Sequence, residues 1–201
     1  MDAVETFKVG NKTVKIVIDE DVESPRNQEY RDNCDTFIMF HKNYNLGDKH
    51  EYVSSQFNGW DEMEKQIIKD HKPVEMRRIF LYDHSGLTIA DKPFSCPWDS
   101  GMIGFALISR EAALKEMSTK KVTKKVKEWA KKYLDATISE YNSYIRGECF
   151  GYVVENEDGE HLDSCWGFIG DIDYVKKEAT EAAQAIHDKT EDPNQLQLSF
   201  T

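Results

Sequence analysis

Residues 83–100 hold the densest run of side chains able to do chemistry. Leu81-Tyr82-Asp83-His84-Ser85-Gly86 is followed by Pro93-Phe94-Ser95-Cys96-Pro97-Trp98-Asp99-Ser100-Gly101. Carboxylate and imidazole together suit a divalent cation. Asp83 and His84, with Asp99 or His41 as a third ligand, would hold an ion that activates water. Cys96 and His84 offer a different chemistry, a thiolate–imidazole pair, provided they lie within hydrogen-bond reach. A purely structural reading covers the same residues. Gly and Pro set turns, Asp and Ser bond nearby amides, and Phe94 and Trp98 plug the core. The spacings H-x-x-x-H and H-E-x-x-H do not occur, which weighs against the metal. Catalytic candidates are therefore Asp83, His84, Cys96 and Asp99, and metal candidates Asp83, His84 and Asp99. No cofactor is predicted beyond such a cation, and whether the chain is an enzyme stays open. His41, Asp48 and His50 form a further polar cluster. Asp163-Ser164-Cys165-Trp166-Gly167-Phe168 echoes the Cys96–Ser100 run.

Elements that would position these residues follow from periodicity. Residues 5–18 read as a hairpin turning at Gly10-Asn11. Residues 20–33 are polar and read as a loop, and residues 35–41 as a buried strand. Asp61 is placed to cap a short helix with Met63, Ile67 and Ile68 inward. Residues 77–83 read as a central strand, residues 84–98 as irregular, and residues 102–108 as another strand. Ser109 caps a helix over 110–117. Residues 120–145 carry Val122, Val126, Trp129, Tyr133, Ala136, Ile138, Tyr141 and Ile145 mostly at steps of three or four, the mark of an amphipathic helix. Lys120, Lys121, Lys124, Lys125, Lys127, Lys131 and Lys132 fill most of the remaining positions. They form either a solvated face or a basic stripe for an acidic partner, the one place where nucleic acid could still bind despite the net charge. Gly147 ends that helix. A hairpin turns around Asp158-Gly159, and residues 173–188 read as a second amphipathic helix. Strands beside strands with helices late predict an α+β fold, a mainly antiparallel sheet packed against two longer helices. One domain is expected over 1–190, with 191–201 as a tail.

Composition narrows the function. The 201 residues carry 26 Lys+Arg against 37 Asp+Glu, a net charge of -11. Such a surface repels phosphate backbones, so general nucleic-acid binding is disfavoured and a basic partner suits it better. Charged residues make up 31%, too many for a membrane protein. The N-terminus has no basic segment or apolar run of a leader, so a cytoplasmic protein is expected. Cys34, Cys96, Cys149 and Cys165 form no C-x-x-C pair and read as thiols. A Cys149–Cys165 bridge across the second hairpin is conceivable. Neither G-x-G-x-x-G nor G-x-x-x-x-G-K-[ST] occurs, so the common nucleotide fingerprints are absent.

The strings HKNYNLGDKH, LYDHSGLTI, PFSCPWDSG and DSCWGF resemble a family of uncharacterised proteins from bacteriophages and other mobile elements, over roughly residues 25–170. The resemblance implies a setting, a phage or plasmid accessory gene working in the cytoplasm of a bacterial host. It implies no reaction and no catalytic residue.

The tail carries its own signal. Gln195-Leu196-Gln197-Leu198-Ser199-Phe200 resembles the hexapeptide by which bacterial proteins dock on the DNA polymerase sliding clamp. Mapped onto that pattern, the Gln195 amide enters a small polar subsite and Leu196 packs at the edge. Leu198 and Phe200 fill the apolar pocket. An extended peptide sends alternate side chains one way, and an amide both donates and accepts. The same period of two also describes a strand folded back on its own domain. Two functions follow. One is a host-takeover or anti-defence protein that binds a host machine, the clamp being the candidate. The other is a metal-dependent phosphoesterase or nucleotide hydrolase using Asp83, His84 and Asp99.

Overall fold

The computed structural model describes residues 3–27 and 32–186. In chain order the elements are β1 (Ala3–Val9), β2 (Lys12–Ile18), β3 (Asp35–Met39), α1 (Trp60–His71), β4 (Glu75–Asp83), β5 (Leu87–Ala90), β6 (Ser100–Ile108), α2 (Arg110–Glu116), α3 (Lys124–Ile145), β7 (Cys149–Glu155), β8 (His161–Ile169) and α4 (Ile172–Ala185). The fold is α+β, as the order of strand and helix patterns predicts. All pairings are antiparallel, and the strands divide between two four-stranded sheets. Within the 1–190 span these belong to two compact units, a terminal one built from both chain ends and a central one spanning Glu23–Gly147.

The terminal unit has strand order β1-β2-β7-β8. Gly10 takes the left-handed conformation at the β1–β2 turn (φ 61°), where a side chain would be strained. At the second turn Asn156 Oδ1 accepts from the amides of Asp158 and Glu160 at 3.0 and 2.8 Å. Helix α4 lies on one sheet face, with Val175, Ala179 and Ala183 against Val14, Ile16, Tyr152 and Val154. Asp171 caps it by accepting from the Asp173 and Tyr174 amides. Tyr152, not Cys149, stands opposite Cys165, and all four cysteines are free thiols. The conceivable Cys149–Cys165 bridge is therefore not formed.

The central unit has strand order β3-β6-β4-β5 and helices on both faces. On one face Val126, Ala130, Leu134, Ile138 and Tyr141 of α3 pack against Phe37, Ile79, Leu81, Ile89, Ala106 and Ile108. On the other, Met63 and Ile67 of α1 meet Ile38, Phe105 and Leu107. Strand alternation sends Phe37 and Ile38 to opposite faces. A bulge interrupts it in β6. Gly104 pairs with Ile79 but Met102 with Phe80, leaving Ile103 as an extra residue. Ile103 thereby joins the α3-side core and Met102 the α1 side. Position 104 admits only glycine, because a Cβ there would stand 2.0 Å from the Ile38 carbonyl oxygen.

Strand β3 lies at the sheet edge, and the following loop covers it. The Asp48 amide donates to the Phe37 carbonyl at 2.8 Å, and Asp48 Oδ2 accepts from the Phe37 amide at 2.7 Å. The Arg26 guanidinium grips Asp48 with two donors at 3.0 and 2.6 Å and Asp35 at 2.9 Å. It also lies over the Phe37 ring, 4.2 Å from its centroid. All three charged side chains are buried, so each carboxylate relies on that guanidinium to offset its lost hydration.

Several local expectations change. Gly59, not Asp61, is the N-cap of α1, and Asp61 sits in its first turn. Ile68 is exposed, because it faces away from the stripe that holds Met63 and Ile67. Ala136 is likewise exposed on α3, where Ala130 and Leu134 supply the inner face instead. The stretch after His84 is not wholly irregular, since Leu87–Ala90 pair with β4.

Candidate functional site

A cleft of about 860 Å3 opens in the central unit where β3 and β4 end and β6 begins. Met39, Leu81 and Ile103 supply part of its apolar lining, Phe40, Trp60 and Met102 another part. Its polar groups come from two loops. Residues 41–45 lead into the segment pinned by Asp48, and Trp98-Asp99-Ser100 lead into β6. The Asp83 amide donates to the Asp99 carbonyl at 2.8 Å, tying the end of β4 to the second loop. The Ser100 hydroxyl donates to the Cys96 carbonyl and closes that loop on itself.

The predicted site residues gather around Asp99. Its Oδ2 lies 3.4 Å from His84 Nδ1 and 3.5 Å from Cys96 Sγ. Asp99 thus stands as the common partner of both, and the hydrogen-bond partner of the thiol is a carboxylate rather than an imidazole. A carboxylate cannot take the proton of a thiol as an imidazole base does, so the contact is not the arrangement of an activated nucleophile. The His84 and Asp99 side chains keep 62% and 39% of their surface in water. Solvent screens such a pair. The charge of Asp83, and then burial, pushes the Tyr44 phenol above its ordinary value. Among the described residues no three His, Cys, Asp or Glu side chains gather as ligands for one ion. The carboxylates and imidazole here would suit a divalent cation by type, as a pair rather than a cage.

The third polar cluster disperses. Asp48 turns inward to Arg26. His50 Nε2 donates to the Met39 carbonyl at 3.0 Å, and His41 Nδ1 accepts from the Asn43 amide at 3.2 Å. The His41 ring instead stacks on Tyr44 at 4.7 Å. Trp98 departs furthest from expectation. It does not plug the core but stands 92% exposed beside the cleft. Phe94 is half-buried against Tyr82, with ring centroids 5.6 Å apart. The sequence gives no pointer to Tyr44 as the partner of Asp83, since nothing in local spacing links two loops so far apart. A Trp in a Pro-flanked polar loop is the one signal that would have marked position 98.

The chain has no match among protein-family models, curated proteins or solved structures. A second cavity of about 920 Å3 lies in the central unit, between the 49–57 segment and α1. There the Tyr52 hydroxyl donates to Asp70 at 2.9 Å, and Lys49, Lys65 and Lys69 are offset by Glu51, Glu62 and Asp70. Among the described residues no helix is long and apolar enough to cross a membrane. Gln195, Leu196, Leu198 and Phe200 lie outside the described residues, as do residues 187–188 of the predicted last helix.

Proposed function

We propose that this protein is a phage or plasmid accessory protein that docks on the sliding clamp of its bacterial host, as a host-takeover or anti-defence inhibitor. The observation that carries the reading is the peptide Gln195-Leu196-Gln197-Leu198-Ser199-Phe200. It offers an amide for a polar subsite and two apolar anchors, Leu198 and Phe200, at the spacing of an extended strand. Apolar anchors dominate binding energy at such contacts. Residues 186–194 separate the end of α4 from the peptide, a length of chain that can span at most about 30 Å. That reach is ample for a clamp pocket outside the fold. Replacing Gln195, Leu198 and Phe200 together with Ala should abolish clamp binding and leave the circular dichroism and melting temperature unchanged. Undiminished binding by that variant would rule out the proposed contact.

A second reading, a metal-dependent phosphoesterase or nucleotide hydrolase, is favoured by one observation. Asp83 and Asp99 both line the cleft, and His84 Nδ1 lies 3.4 Å from Asp99 Oδ2. It ranks below the first because the pair is open to water and, among the described residues, no third ligand gathers with it. It becomes the leading reading if the clamp titration is silent.

A further inference from the structure

The lysines around the start of α3 run against the rest of the molecule. Lys120, Lys121, Lys124, Lys125, Lys127, Lys131 and Lys132 stand within thirteen residues beside a single acid, Glu128, a local charge of +6 in a chain of net charge -11. All seven are exposed. Among the described residues the one ion pair they form is Lys124 with Glu128, at 3.6 Å.

Lys120 and Lys121 precede α3, and helical geometry keeps the other five off its buried stripe. Val126, Ala130 and Leu134 take the buried stripe of α3. Lys124, Lys127 and Lys131 follow one ridge beside that stripe, and Lys125 and Lys132 lie on the other flank of the exposed surface, with Glu128 between the two groups. From Lys124 to Lys132 the array runs about 12 Å along the axis. Intramolecular electrostatics do not account for this placement. The first turn of a helix carries the positive end of its dipole and favours acids. Helices α1, α2 and α4 have acids there, whereas α3 has none and carries lysines instead. Cations placed against the dipole cost the free protein stability, and a bound polyanion would reverse that sign.

We infer that this lysine face binds the phosphate backbone of duplex DNA. The choice of DNA over an acidic protein rests on the clamp reading, because a clamp-docked protein is held beside the duplex on which the clamp works. The net negative charge is no obstacle at contact range. At physiological salt it is screened beyond about 8 Å, and the phosphates would meet the lysines first. An anionic membrane fits less well. The apolar face of α3 is consumed by the core, so the helix has nothing to insert among acyl chains. Recognition would be independent of base sequence, because ammonium groups on flexible stems contact phosphates without reading base edges.

The test is fluorescence anisotropy of a labelled duplex of about 20 base pairs with the full chain, and clamp calorimetry on the same samples. With four phosphates neutralised, affinity should fall roughly 100-fold between about 50 and about 200 mM salt. The variant K124E/K127E/K131E should lose at least about tenfold of DNA affinity at the lower salt, with melting temperature and clamp affinity retained. Replacing Gln195, Leu198 and Phe200 should do the reverse, so failure of the clamp reading and failure of this inference are separable. Equal DNA affinity in the lysine variant, no DNA binding at low salt, or tighter binding to polyglutamate or to phosphatidylserine vesicles than to the duplex would overturn the inference.

Discussion

Replacing Arg26 with Ala would leave Asp35 and Asp48 buried without their cation. Loss of one partner of a buried pair costs about 3–5 kcal/mol, and here two carboxylates depend on the same guanidinium. Urea denaturation of Arg26→Ala should show a loss of that size, and a loss below about 1 kcal/mol would contradict the role given to the pair. Tyr52 offers a pH-dependent check. Burial, and then the hydrogen bond to Asp70, pushes its phenol up to about 12. Because the folded value is raised, the protonated phenol stabilises the fold fully below the ordinary tyrosine value of about 10. That contribution is lost as pH rises through the folded value. Asp70 is shifted the other way, held down by hydrogen bonds from Gln66 and Tyr52. Its contribution is present above the ordinary carboxylate value and lost as pH falls through its lowered one. In the difference in phenolate absorbance between the protein and Tyr52→Phe, the Tyr52 step should lie near 12. It should move down in Asp70→Asn. A step at the ordinary value would contradict both the burial of the phenol and its hydrogen bond.

At the scale of elements, the bulge in β6 is the feature that shapes the cleft, because it turns Ile103 into one core and Met102 into the other. Gly104→Ala must push Cβ against the Ile38 carbonyl and should cost at least about 3 kcal/mol, read from the urea midpoint. A cost within about 0.5 kcal/mol would mean that the strands part there without penalty. Much at this scale was legible in the sequence. The turn at Gly10-Asn11, the Ser109 cap and the period of α3 are local signals, and each appears where its residues predict. Strand β5 was not legible. Its four residues carry too short a pattern to stand out, and they form a strand only because β4 offers a partner. The pairing of β2 with β7, across most of the chain, also escapes any local reading. The candidate site was half legible. Asp83, His84, Cys96 and Asp99 do come near one another. Residue type could not say that the thiol would face a carboxylate, or that Trp98 would stand in water. Both depend on how two distant loops meet.

For the molecule as a whole, charge is the organising property. The chain is acidic, yet seven lysines crowd at and just before the start of α3 while Asp83 and Asp99 line the cleft. An acidic protein of this kind has poor affinity for polyanions over most of its surface, and a local basic face is what would orient it on one. The tail supplies the specificity in this account and the lysine face the orientation. The central claim is tested most directly by calorimetric titration of a bacterial sliding clamp with the full chain and with a version ending at Asp192. The account predicts micromolar or tighter binding by the full chain and none by the shortened one. Equal binding by both, or binding by neither, would contradict it.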